Sequence, residues 1–248
     1  MTLKLALSLG SVVVVASCSA AEAVGGGAPP VALSVSPARV ALVAPASRTI
    51  ELRNVGSERV VVDVASKPLE RPATTNRWLR VRPARLVLRA RSRAVVTLRA
   101  RANGLVRPGD HQLLLVLVAR PASRARVAVR VRLGVRLRVR VPGHIVRQVA
   151  VRGLRVRRHD PTRDLVVSVA NRGNVTEQLG GRLTVTLVRG GRLVSRLRLR
   201  GTHELFPGAH GVVRMRYAGR ARGLVTAHVR MLLRGGAVQV ERSYRIRL

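Results

Sequence analysis

The sequence predicts an all-β chain: two tandem antiparallel β-sandwiches behind an N-terminal export signal. Three observations predict it. Apolar and polar residues alternate with period two over many short segments, which places one side of each strand in a core. The 248 residues are 47% apolar, but that fraction is Val, Leu and Ala broken by Gly and Pro, a strand-and-turn vocabulary. No segment of the mature chain carries a sustained helical period. The length suits one large domain or two smaller ones.

The first thirty residues read as a signal and tether. Lys4 precedes an apolar run over residues 5–16, too short for a membrane span and suited to a signal core. Two processing sites compete. Ala21-Glu22-Ala23 is an A-x-A cleavage site, and Val15-Ala16-Ser17-Cys18 fits a bacterial lipobox whose cysteine is acylated. Cys18 is the sole cysteine, so the mature domains can form no intrachain disulfide and must hold together by burial. Residues 24–30, VGGGAPP, form a flexible tether.

Residues 31–142 form the first predicted sandwich. Strands are expected in 31–37, 39–45, 48–56 and 58–66, with Asn54-Val55-Gly56-Ser57 as the turn between the last two. A Pro- and Thr-rich connection over 67–76 leads to strands in 78–90, 93–102 and 111–121, with Pro108-Gly109-Asp110 as a turn. The lone tryptophan, Trp78, is expected to pack under a sheet end. The set closes on RVAVRVRLGVRLRVRVPG, residues 126–143. Every odd position from Val127 to Val141 is aliphatic, while Arg126, Arg130, Arg132, Arg136, Arg138 and Arg140 occupy even ones. Such a strand would run roughly 45 to 50 Å, so Gly134 is expected to mark a bulge or bend. Its aliphatic side completes a core, and its arginines face solvent or an acidic partner. At a sheet edge they would also block pairing between molecules.

Val141-Pro142-Gly143 is the expected boundary, and residues 143–248 form a second sandwich of about seven strands. Arg189-Gly190-Gly191-Arg192 and Arg234-Gly235-Gly236-Ala237 are hairpin signals. Leu205-Phe206-Pro207-Gly208 is a bend. A strand followed by Asn-x-Gly occurs in both halves, at Asn54/Gly56 and Asn171/Gly173, a short internal echo.

Charge comes next. Lys and Arg number 47 against 11 Asp and Glu, a formal +36, and the only lysines are Lys4 and Lys67. Two explanations of the near-exclusion of lysine stand side by side, a coding bias towards arginine codons and a functional arginine excess; the field attracts anions whatever its origin. The arginines are spread along the chain, as on the solvated faces of many strands. Only Trp78, Phe206, Tyr217 and Tyr244 are aromatic, and no nucleic-acid-binding motif occurs, which argues against nucleic acid as the partner.

Chemistry-bearing clusters are sparse. His203-Glu204 with His210 does not match H-E-x-x-H, and Pro207-Gly208 forbids the helix that motif needs, so a polar loop is expected. His159-Asp160-Pro161 reads as a turn. No G-x-S-x-G, carboxylate pair or phosphate loop occurs, so no residue is assigned to catalysis, a cofactor, a metal or a small-molecule substrate.

LSVSPARVALVAPASRTIELRNVGSERVVVDVAS, then WLRVRPARLVL and the long strand ending in VRVPG, resemble the pilus-chaperone-like immunoglobulin domains. The second half, with SVANRGNVTEQLGGRLTVTL and ELFPG, is similar to the immunoglobulin-like domain of bacterial surface proteins of the WxL-interacting type. The resemblance spans residues 31–248 and makes both sandwiches immunoglobulin-like. It implies two roles. Pilus chaperones donate a strand to an incomplete pilin and anchor its C-terminal carboxylate with two basic residues, one from the first strand and one from the last long strand. Arg39 falls at the first position; Arg136 or Arg138 falls at the second. The WxL-interacting proteins are associated with cell-wall and host-ligand binding. The leading expectation is therefore a non-enzymatic exported envelope protein that binds a protein partner or an anionic cell-wall polymer by strand-edge pairing and arginine contacts. It would stand on the outer side of the bacterial membrane, at the cell surface or in the periplasm, with membrane attachment possible through a lipid on Cys18. The alternative is a pilus-type periplasmic chaperone that donates a strand to a client, for which a lipid anchor has no use.

Overall fold

The computed structural model describes residues 12–14, 29–69, 78–101, 106–123, 130–159, 162–233 and 238–248. They form an all-β chain of two immunoglobulin-like sandwiches. The chain divides into two compact units, one of residues 1–107 with 111–142 and one of residues 108–110 with 143–248. No helix among the described residues is long and apolar enough to cross a membrane.

The strands of the first unit, in chain order, are β1 (Val12–Val14), β2 (Leu33–Ser36), β3 (Arg39–Val43), β4 (Ala46–Asn54), β5 (Val60–Pro68), β6 (Leu79–Arg82), β7 (Arg85–Leu88), β8 (Arg93–Ala100), β9 (Gly109–Pro121) and β10 (Val131–Val141). One sheet has the order β1-β2-β4-β8-β6 and the other β3-β10-β9-β5-β7. Three prolines mark where the chain changes sheet: Pro45 separates β3 from β4 in the same way as the two that follow. Pro37 separates β2 from β3, and Pro83 separates β6 from β7; each pair is divided between the two sheets. Proline donates no ladder hydrogen bond, so a strand ends there readily. Val12–Val14, in the expected signal core, pairs with β2 through Val12↔Val35.

The core of this unit is the aliphatic face that the alternation foretold. Val131, Leu133, Val135, Leu137, Val139 and Val141 are all buried, and Ile50, Leu52, Val62, Leu98, Leu115 and Leu117 meet them from other strands. Trp78 is buried in the same cluster, its ring edge-on to His111 at a centroid distance of 5.4 Å.

Three expectations need correction. Gly134 is no bulge: inward and outward positions alternate unbroken from Val131 to Val141, which an inserted residue would reverse. A Cβ there would lie 3.0 Å from Leu114 Cδ1, so glycine lets a neighbouring leucine close over the strand. Pro108-Gly109-Asp110 is no turn, since Gly109 and Asp110 begin β9. Asp110 is buried, its N–H donates to Asn174 O at 2.8 Å, and its Oδ2 accepts from the Thr176 N–H at 2.8 Å. Nor is the pairing antiparallel throughout, because β10 and β3 run parallel. Residues 124–129, the start of the long alternating stretch, lie outside the described residues.

In the second unit the strands are β11 (Val149–His159), β12 (Thr162–Asn171), β13 (Glu177–Gln178), β14 (Leu183–Arg189), β15 (Arg192–Arg198), β16 (Glu204–Leu205), β17 (His210–Tyr217), β18 (Leu224–Leu232) and β19 (Val238–Arg247). They form sheets β11-β12-β17 and β15-β14-β18-β19, with β13 and β16 as a separate pair. Leu165, Val167, Val185, Leu187, Ala227, Val229 and Met231 fill the space between the two larger sheets. Gly190 and Gly191 have φ of 51° and 78° between the paired Arg189 and Arg192, as a two-residue type I′ hairpin requires. The bend over 205–208 is a turn closed by the Ala209 N–H donating to Phe206 O at 3.0 Å. The other Gly-Gly signal, 234–237, and the Asp160-Pro161 turn lie outside the described residues. The two-residue strands β13 and β16 carry no period to read and were not expected.

Candidate functional site

The candidate site is built on the parallel pair. Ser36-Pro37 ends β2, and the chain re-enters the opposite sheet at Arg39, the first residue of β3. There Arg39 is the register partner of Arg136, Leu137 of Val40, Arg138 of Ala41 and Val139 of Leu42. Val40 and Leu42 are buried with Leu137 and Val139, so the alternate residues Arg39, Arg136 and Arg138 share the outer face of the sheet. Arg39 and Arg136 are exposed and Arg138 is half-buried. The Arg136 N–H donates to Ala38 O at 3.1 Å, and the Ala44 N–H donates to Arg140 O at 2.8 Å, holding both ends of the pair.

This placement has a chemical consequence. Side chains directly opposite on neighbouring strands stand about 5 Å apart, where like charges repel. Two guanidinium groups so placed are suited to close together on one anion, and each presents a planar fork of donors that matches a carboxylate. Arg138 stands opposite Ala41, one step further along. The register therefore brings Arg136 beside Arg39 and leaves Arg138 as the flanking residue. Cys18, the lipidation candidate, lies outside the described residues.

A second feature of β10 concerns its edge. β3 pairs with Arg136–Arg140 only. On that side, among the described residues, Val131–Val135 has no strand beside it. An open edge of a strand whose other face is fully packed is a template for an added strand.

Other polar clusters do not build a reaction centre. Among the described residues, no group of three or more His, Cys, Asp or Glu converges as a metal site would require. His203 uses its carbonyl to accept the Leu179 N–H, and His210 is exposed. The Ser243 hydroxyl and His228 Nδ1 meet at 2.8 Å, a pairing the sequence did not announce because His228 and Ser243 belong to different strands. It is a cross-strand contact between register partners of β18 and β19. Asp63 is engaged by Arg85 at 3.5 Å and Arg120 at 3.8 Å, all three solvent-exposed, so these pairs contribute little to stability.

No protein-family model matches the chain, and no curated protein sequence matches it. Its fold is similar to solved structures of fimbrial chaperones. The class 5 fimbriae chaperone CfaA shares 13% identity at a TM-score of 0.51, over 87% of this chain and 98% of that one. A chain of the chaperone–tip adhesin complex of CFA/I fimbriae biogenesis shares 12% at 0.52, over 87% of this chain and 97% of that one. That coverage exceeds either unit alone, so the likeness extends over both sandwiches. The chain has the two-domain immunoglobulin-like fold of pilus chaperones.

Proposed function

We propose that this protein is a non-enzymatic, exported chaperone of the pilus type, which lends the edge of β10 to an incomplete client and clamps the client's C-terminal carboxylate between Arg39 and Arg136. The observation that carries the reading is the register of the parallel pair, which sets those two arginines side by side on the outer face. The Val131–Val135 edge, which no strand among the described residues pairs on the β3 side, supports it, since a client strand needs backbone groups to pair with. The two-sandwich fold also supports it, because the fimbrial chaperones of similar fold include one in complex with a tip adhesin. These observations favour the chaperone over the envelope binder of a cell-wall polymer. The place of action would be the periplasm.

The test is binding of a short synthetic peptide with alternating apolar residues, made with a free C-terminal carboxylate and again as the amide. A charge-assisted contact is worth roughly 1.5 to 3 kcal/mol, and each 1.4 kcal/mol is about tenfold in affinity. The free acid should bind at least about tenfold more tightly. Arg39→Ala and Arg136→Ala should each erase that preference, and Arg138→Ala should preserve most of it. Equal binding of acid and amide to the unmodified protein would remove the clamp.

A diffusible chaperone has no use for a lipid. The intact mass of the mature protein should therefore correspond to an unacylated chain beginning at Val24, after the A-x-A site, with Cys18 removed. A diacylated chain beginning at Cys18 would return the protein to a membrane-anchored role.

A further inference from the structure

We propose that the open side of the second unit is a docking groove for an extended peptide with acidic side chains at alternate positions, added as a strand along β17. β17 ends the sheet β11-β12-β17, and β15 ends the sheet β15-β14-β18-β19. Between these edges lies a groove of about 490 Å3. Leu197, Leu199, Met215 and Tyr217 form its apolar base, and Arg214 and Arg216 of β17 stand on its rim. Arg196, Arg198, Arg200 and His203 line the other side, and no carboxylate is among the lining residues. Five of its thirteen lining residues are arginine.

The geometry selects the ligand class. In β17, Met215 and Tyr217 are buried while Arg214 and Arg216 are exposed, so the strand presents its two sides in strict alternation. A peptide paired to its edge would do the same. Its outward side chains would stand opposite Arg214 and Arg216, whose spacing of about 6.7 Å equals that of alternate residues in any extended chain. Its inward side chains would lie over Leu197 and Leu199. Carboxylates belong at the outward positions and apolar groups at the inward ones. A phosphate polymer would meet the arginines but could use neither the backbone edge nor the apolar base. The groove belongs wholly to the second unit, so the inference goes beyond the clamp of Arg39 and Arg136 and does not depend on it.

The experiment uses the full chain and a fluorescent peptide of alternating Glu and Val, acetylated and amidated so that no terminal carboxylate is present. Its comparator has the same composition with the Glu residues in one block. At physiological salt the alternating peptide should bind at least about tenfold more tightly than the block isomer. Replacing both rim residues, Arg214→Gln with Arg216→Gln, should cost at least about tenfold, while the thermal midpoint stays at its original value. N-methylation of the peptide backbone at alternate residues should also abolish binding. Arg39→Gln with Arg136→Gln should leave binding unchanged, which separates this site from the clamp. Equal affinity for the block isomer, or displacement by polyphosphate charge for charge, would make the groove a general polyanion site and overturn the proposal. Unchanged binding in the rim variant, or no saturable binding, would overturn it as well.

Discussion

Asn54→Ala should destabilise the first unit by about 3 kcal/mol, because it strands three backbone groups at once. The side chain is fully buried. Its Nδ2 donates to Glu58 O at 2.7 Å and to Arg89 O at 3.0 Å, while its Oδ1 accepts from the Gly56 N–H at 3.0 Å. Alanine can replace none of these bonds, and each buried group left unmatched costs about 1 to 3 kcal/mol, less whatever water recovers. The second unit repeats the device. Asn171 Nδ2 donates to Val175 O at 2.7 Å and to Leu205 O at 2.9 Å, and its Oδ1 accepts from the Gly173 N–H at 2.9 Å. In both units one N–H goes to a carbonyl four residues ahead and the other crosses to a remote one, 35 residues away in the first unit and 34 in the second. The glycine is needed in both for close approach. A Cβ on Gly56 would come within 2.7 Å of Pro30 O, and one on Gly173 would collide with Val146 O. Asn171→Ala should therefore cost the second unit a similar amount. Urea unfolding distinguishes the two, since Trp78 fluorescence reports only on the first core while Tyr217 lies in the second. A shift under about 1 kcal/mol in either variant would mean the motif is a turn preference and not a keystone.

That motif also shows how far the sequence could be read. Asn-x-Gly after a strand was visible twice, and the structure shows why: an amide that ties a turn to a remote carbonyl. The inward face of β10 was equally legible, because one-residue slips would turn every valine and leucine outward. Sheet assignment was not. Nothing local in residues 33–43 says that β2 and β3 belong to opposite sheets, or that β3 lies parallel to a strand a hundred residues away in sequence; both follow from how the sandwich closes. The same holds at Pro83. Sequence left Arg136 and Arg138 as equal candidates, and only the register places Arg136 opposite Arg39. Pro-Gly-Asp is a turn vocabulary, so the sequence alone reads Asp110 as a turn residue. Its carboxylate instead satisfies the N–H of Thr176, a partner no local pattern could name. The groove of the second unit was hidden for a related reason. Its arginines alternate like those of other strands, and what sets them apart is that they line a groove between β15 and β17, each of which ends a sheet among the described residues.

Arg147→Ala should be the other severe substitution, at about 3 kcal/mol or more. Glu177 is buried in the two-residue strand β13, its side chain 1% exposed, and Arg147 Nη1 donates to its Oε1 at 2.6 Å. Its second oxygen, Oε2, is enclosed without a hydrogen-bond partner among the described residues. A buried carboxylate held by a guanidinium is costly to desolvate, and removal of the cation leaves that cost uncompensated. Arg147 is itself about a quarter exposed, so the ion pair adds little net stability compared with two apolar groups of the same shape; the damage comes from breaking it on one side. A double variant settles which account holds. Combining Arg147→Ala with Glu177→Gln removes the buried charge along with its partner and should recover a large part of the loss. If the loss came from the missing arginine stem, the double variant would be as unstable as the single one. Hydrogen exchange should localise the effect to β13 and β16, whose pairing of Glu177 with Leu205 is the shortest ladder in the unit and the least able to survive a change at its centre. Glu177 follows directly on Thr176, whose N–H binds Asp110, so protection of the Thr176 amide should fall together with that of β13. Full protection at Thr176 in the Arg147→Ala protein would show that the buried pair and the Asp110 contact are independent.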